Sequence, residues 1–244
     1  MLPVLEGTIA RRVLLNFRAD PSVATRNVPA PLEVVTQRGS AVIGVCLIRL
    51  ERLRPKGLPE MVGLSSENMA HRVAIRYPLA DRMREGVFIW RRETDLALVT
   101  LLGGRMFPGA HHCARFAVNE DGERLAVSVR TVKGQADVGF RSRRAAQWKP
   151  SPLFGTLDEA QAFFQRGDCG FSHSHRGGQL EGMQLRTLRW QMEPLDVAEV
   201  ESKFFAHEDR FPPGSVEFDS ALIMRGIPHE WHELNEVPEL ASRG

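Results

Sequence analysis

The sequence is short of the features that announce common chemistries. Its three cysteines, Cys46, Cys113 and Cys169, are widely spaced and form no Cys-Xaa-Xaa-Cys pair. That argues against a disulfide framework and fits reduced thiols in the cytoplasm. There is no GxGxxG, no GxxxxGK[ST], no GxSxG and no HExxH. Dinucleotide binding, P-loop phosphoryl transfer, α/β-hydrolase and zincin chemistry therefore lose their usual sequence support. No apolar run approaches the ~18–20 residues of a membrane span, and no charged-then-apolar leader pattern is present. An excess of charge is missing too, since Lys+Arg 32 against Asp+Glu 30 leaves a net charge of +2. The basic clusters Arg11-Arg12, Arg91-Arg92 and Arg141-Ser-Arg143-Arg144 are short and read as solvated faces. The expectation is a cytoplasmic protein with no nucleic-acid and no membrane partner.

What is present is an ordinary globular composition, 43% hydrophobic and 25% charged over 244 residues. That length suits one large all-β unit, so 1–244 is read as a single domain. Residues 7–17 fit a strand or a short helix. Asp20-Pro21-Ser22 starts a helix. Gln37-Arg38-Gly39 is a compact turn before 40–53, whose run AVIGVCLIRL reads as a strand buried on both faces at one end. Residues 68–77 alternate, with Met69, His71, Val73 and Ile75 on one side. Residues 78–84 read as a connection or a helical turn. VFIWRR and 96–102 are further strands, and Asp121-Gly122 marks a hairpin. Thr156-Leu157-Asp158-Glu159 is a capping box opening a helix. Asp196 is read as the cap of another helix to about Phe205, before a last strand over 215–224. About ten strands in hairpin order, with helices as decoration, predict a mainly β fold, a large antiparallel barrel.

The stretch 96–116, LALVTLLGGRMFPGAHHCARF, carries the densest chemistry. An apolar run, a Gly-Gly break, then Arg105, Pro108, His111 and His112 resemble a site at a strand end. On a strand the two imidazoles point to opposite faces, so only one can line an interior. Glu67 at a strand end is a candidate general base, or a partner for Arg72 or Arg105. Arg105 suits a ligand carboxylate through its planar fork. His173-Ser-His175 has a spacing that can chelate a metal, but no third ligand can be named, and no metal is assigned. Cys46 sits in an apolar run and reads as core.

The order of AVIGVCLIRL, SSENMAHRVAIRY and EGVFIWRRETDLALVTLLGGRMFPGAHHCARF resembles the uncharacterised YqjF-like family of the acetoacetate decarboxylase-like superfamily. Residues 67–118 carry most of the likeness. The resemblance implies an antiparallel β-barrel with a central cavity opening to one side. In true acetoacetate decarboxylases an Arg-Glu-rich segment runs through Gly-Xaa-Pro into a Lys-Lys pair, and one lysine forms a Schiff base. Laid over that segment, Arg105 and Gly109 match, His112 stands where the reactive lysine would be, and Cys113 where its partner would be. The only lysines are Lys56, Lys133, Lys149 and Lys203, and an imidazole cannot form that Schiff base. Decarboxylase activity is therefore not expected.

The leading expectation is a barrel that binds a small carbonyl- or carboxylate-bearing molecule. His112 and Glu67 would be its catalytic or acid–base groups, and Arg105 and His111 its ligand contacts. No cofactor is expected, and by analogy with assembling relatives a homo-oligomer is. Two alternatives stand beside it: a non-catalytic protein with a filled barrel, and a lysine-independent lyase or hydrolase using His112 with Glu67.

Overall fold

The structure, a computed structural model, describes residues 3–97, 109–174 and 178–240. In chain order the elements are β1 (Leu5–Ala19), α1 (Pro21–Arg26), β2 (Glu33–Val34), β3 (Thr36–Gln37), β4 (Ser40–Pro55), β5 (Leu64–Leu79) and β6 (Arg82–Thr94). They continue with β7 (His111–Asp121), β8 (Arg124–Thr131), β9 (Val138–Arg144), α2 (Leu157–Arg166), β10 (Cys169–His173), β11 (Leu180–Thr187), β12 (Glu193–Ser202) and β13 (Val216–Glu233). All the strands belong to one 13-stranded sheet.

The pairing closes on itself twice. One circuit runs β6-β7-β8-β9-β12-β13-β1-β4-β5 and back to β6. The other runs β6-β10-β11-β13-β1-β4-β5 and back to β6. Strands β13, β1, β4, β5 and β6 are shared, so they form a wall with an interior on each side. This explains the nearly all-apolar run at 41–48. Ala41, Ile43, Val45 and Leu47 fill the core of the first circuit, while Val42 and Cys46 face the second. On β1, Val13 and Leu15 point one way and Leu14 the other. On β5 the expected face of Met69, Val73 and Ile75 belongs to the first core.

The second circuit is sealed from outside by α2. The Thr156 hydroxyl accepts from the Glu159 backbone N–H at 3.1 Å, as the capping box requires. Ala160, Phe163 and Phe164, at i, i+3 and i+4, are buried with Phe154 in the second core. Asp20 caps α1, accepting from the N–H groups of Ser22 and Val23. The Asp121-Gly122 hairpin joins β7 to β8, with Gly122 at φ 49°.

Three expectations need correction. Asp196 caps no helix; it lies in β12, which pairs with β9 and β13. Its carboxylate takes Lys149 at 2.8 Å, and a register shift between Val197 and Glu199 breaks the two-residue period that would have marked a strand. Residues 78–84 are the tight end of the β5–β6 hairpin, with Ala80 at φ 52°. The paired arginines of β1 and β6 are not solvated: Arg11 is buried, and Arg12, Arg91 and Arg92 are half-buried. The expected strand over 96–102 falls largely outside the described residues.

Arg11 shows what a cation on this wall needs. Its Nη2 donates to both Glu67 oxygens at 2.8 Å, and its Nη1 to Glu120 at 3.0 Å. The Arg11 and Glu67 side chains are only 8% and 9% exposed. Removing one partner strands a buried charge, which costs roughly 3–5 kcal/mol. Glu67→Ala is therefore expected to lower the unfolding free energy by about that amount in urea denaturation. A loss below about 0.5 kcal/mol, the scale of surface changes, would show that the pair does not tie β1 to β5.

Candidate functional site

The second circuit is not filled. It holds a cavity of about 140 Å³, and every strand of that circuit contributes to its wall. Ile48, Leu50, Leu53, Ile89, Met183 and Leu185 make most of it apolar. The polar groups come from a few adjacent rows of the sheet. One row reads Cys46, Ala70, Arg92 and His111 across β4, β5, β6 and β7. The next reads Gly44, Arg72 and Ile89. Gly44 and Ala70 add little bulk there. Arg12 enters from β1, one diagonal step from Cys46.

Three guanidinium groups thus converge on an apolar space. Arg12 Nε donates to Cys46 Sγ at 3.4 Å, and its charge lies 5.5 Å from the Trp190 ring centre. Arg72 is 4% exposed; its Nη2 donates to Asn16 Oδ1 at 3.3 Å and it lies over Phe164. Arg92 Nη2 donates to Ser172 Oγ at 3.2 Å. Yet Arg12 Nη1, Arg72 Nε, Arg92 Nε and the indole N–H of Trp231 are buried with no acceptor among the described residues. Burial pulls the Arg72 and Arg92 guanidinium groups down to about 10, which leaves both charged at neutral pH. Asp168 reaches the wall but accepts from Gln184 at 2.8 Å.

His111 lines this cavity. Its Nδ1 lies 3.3 Å from the Gly109 carbonyl, and Gly109 N–H donates to Glu181 at 2.6 Å. Burial, reinforced by the Arg92 charge, pushes the imidazole down to about 3, so it is neutral at pH 7.

His112 and Glu67 are placed apart from the cavity. His112 pairs in register with Glu93, on the opposite face of β7 from His111. Burial and then Arg91 lower its basicity. Glu67 is on the opposite face of β5 from the lining residues Ser66, Asn68, Ala70 and Arg72, held by Arg11. Glu67 and His112 share no hydrogen bond among the described contacts. Arg105 and His175 lie outside the described residues. His173 packs edge-on against Phe88, with ring centres 5.4 Å apart. Among the described residues no cluster of His, Cys, Asp and Glu has metal-binding geometry.

A second polar group borders the cavity at Glu93 and runs away from it to Arg91 and His71. Glu93 is fully buried, held by Arg91 Nε, with Oε2 3.9 Å from His71 Nδ1. Burial raises the carboxyl to about 7 and lowers His71 to about 3, so the imidazole is neutral at pH 7 and the contact is no simple ion pair.

Arg12, Arg92 and Cys46 were not legible as site residues. The available signal was an arginine pair inside an apolar strand, which must send one guanidinium to each face of a wall buried on both sides.

The solved structures this chain resembles share its fold. An acetoacetate decarboxylase from Legionella pneumophila is 14% identical, with a TM-score of 0.62 over 96% of this chain and 88% of that one. An acetoacetate decarboxylase-like enzyme from Sphingomonas wittichii RW1 is 11% identical, with a TM-score of 0.59 over 96% and 94%. The enduracididine biosynthesis enzyme MppR, complexed with pyruvate, is 10% identical, with a TM-score of 0.56 over 95% and 89%. A comparison with curated proteins found no match. The fold is therefore acetoacetate decarboxylase-like, and no helix among the described residues is long and apolar enough to cross a membrane. A family profile matches residues 7–225, and by that match the chain belongs to the DUF2071 family, described as an uncharacterized conserved protein.

Proposed function

We propose that this protein binds a small carbonyl-bearing carboxylate, such as a short 2-oxo acid, in the cavity of the second circuit. The observation that carries this reading is the set of unpaired guanidinium N–H groups of Arg12, Arg72 and Arg92 in a mostly apolar wall. Among the described residues each of these cations has only a neutral acceptor, Cys46, Asn16 or Ser172, and one buried N–H left over, and a carboxylate supplies the missing charge and lone pairs. Size supports a small ligand. A cavity of about 140 Å³ is close to the ~150 Å³ that holds one benzene, so roughly six heavy atoms fit. MppR is complexed with pyruvate in a fold of the same kind, which agrees in both size and charge.

The ligand is held here without a Schiff base. None of Lys56, Lys133, Lys149 and Lys203 is among the lining residues, and Lys56, Lys149 and Lys203 are paired with Glu230, Asp196 and Asp137. His111 acts as a neutral hydrogen-bonding group beside the bound carbonyl.

Pyruvate is expected to raise the melting temperature, whereas pyruvamide, isosteric but uncharged, is expected to leave it unchanged. Equal shifts from both, or none from pyruvate and its C4 and C5 homologues, would sink the proposal. In a Glu93→Gln variant, which removes the carboxyl at the wall that burial raises to about 7, pyruvate affinity is expected to stay flat between pH 5 and 8. The folded His111 value, about 3, is below its ordinary 6.5, so the ring gains no proton in that window. A tenfold tightening as pH falls through 6.5, seen by calorimetric titration, would mean that a histidine charges at the ligand.

A further inference from the structure

Cys46 is the one cysteine in the cavity wall. Cys169 is 2% exposed, lies beside Tyr77, and burial pushes its thiol up to about 11. Cys113 is exposed on β7. A cysteine that merely fills a core needs no cation beside it. Here Arg12 Nε donates to the sulfur at 3.4 Å, and that contact fixes Sγ at the edge of the cavity. Two further observations point to a ligand at the same spot. Arg72, a diagonal neighbour of Cys46, has a buried Nε without an acceptor. Arg92 stands in the same register row as Cys46, separated from it only by Ala70, and its Nε is unpaired as well. A short 2-oxo acid has its carboxylate and its electrophilic carbon one bond apart. Anchoring the carboxylate on Arg72 or Arg92 therefore leaves the carbonyl carbon near the sulfur.

We propose that Cys46 is the nucleophile of the cavity and adds reversibly to the carbonyl of the bound 2-oxo acid, giving a hemithioketal. This rests on the carboxylate-binding reading above and extends it to covalent chemistry. The sulfur–carbon bond forms as the carbon–oxygen π bond breaks. The thiol proton ends on the new hydroxyl oxygen. Nothing is oxidised or reduced and no group leaves, so no co-reactant is needed. The unpaired Nη1 of Arg12 is a donor available to the oxygen as negative charge develops on it. Reversal of the same steps releases the acid, which makes Cys46 a covalent anchor that replaces the lysine route.

The test uses [2-13C]pyruvate and carbon NMR on the full chain carrying Cys113→Ser, which removes the exposed thiol. A protein-bound signal is expected in the sp3 region, distinct from the free hydrate. It should vanish in the Cys46→Ser/Cys113→Ser double variant, whose thermal shift with pyruvate should shrink but persist, because the arginines still hold the carboxylate. Cys46→Ala serves in place of Cys46→Ser if serine in this apolar wall prevents folding. A thermal shift with only a carbonyl signal overturns the thiol and leaves the binding reading standing. An sp3 signal that survives loss of Cys46 overturns it too. No thermal shift in any variant removes both proposals together.

Discussion

The structure depends on a wall of five strands, β13, β1, β4, β5 and β6, that is buried on both faces. A side chain on such a strand has no solvent to retreat to, and each step along the chain changes which interior it enters. The arginine pairs make the consequence visible. Arg11 enters the first circuit and meets Glu67 and Glu120, while Arg12 enters the second and meets Cys46 and an open space. Arg91 is held against Glu93, whereas Arg92 turns into the cavity beside His111. On one face the cations have carboxylates. On the other their acceptors are the neutral Cys46, Asn16 and Ser172, and a cavity lies beside them. Since an uncompensated buried charge is so unfavourable, the second arrangement is stable only where water or an anion can enter.

Much of this was legible in the sequence. Turn and cap chemistry acts over four residues, so Asp20, Thr156 and Asp121-Gly122 performed as their residue types require. The apolar run at 41–48 announced burial on both faces. The site was harder to read because it is made by register rather than by motif. Cys46, Ala70, Arg92 and His111 are neighbours only because β4, β5, β6 and β7 pair in that alignment, and no local spacing encodes it. The alternation rule did predict that only one of His111 and His112 could face an interior, and the structure places His111 there. Asp196 failed for a related reason. A local cap signal lost to pairing with β9 and β13, and the shift at Val197 hid the strand period.

The fold itself does not carry the chemistry. Solved structures at 10–14% identity share the architecture, and function within one architecture follows from the groups that line its site. Here those groups are three arginines, a neutral histidine and a cysteine, with Glu93 and Asp168 also at the wall and no lysine among the lining residues. On the function proposed above, the arginines recognise the anion and the cysteine adds to its carbonyl.

The most direct test of the account is calorimetric titration of pyruvate into the wild type and into Arg72→Met. Methionine keeps the side chain apolar and unbranched at this buried position but removes the cation. A hydrogen bond to a charged group contributes about 1.5–3 kcal/mol, so affinity should fall at least about tenfold while the protein stays folded. Unchanged affinity in a folded Arg72→Met protein would contradict the claim that the unpaired guanidinium groups form an anion site.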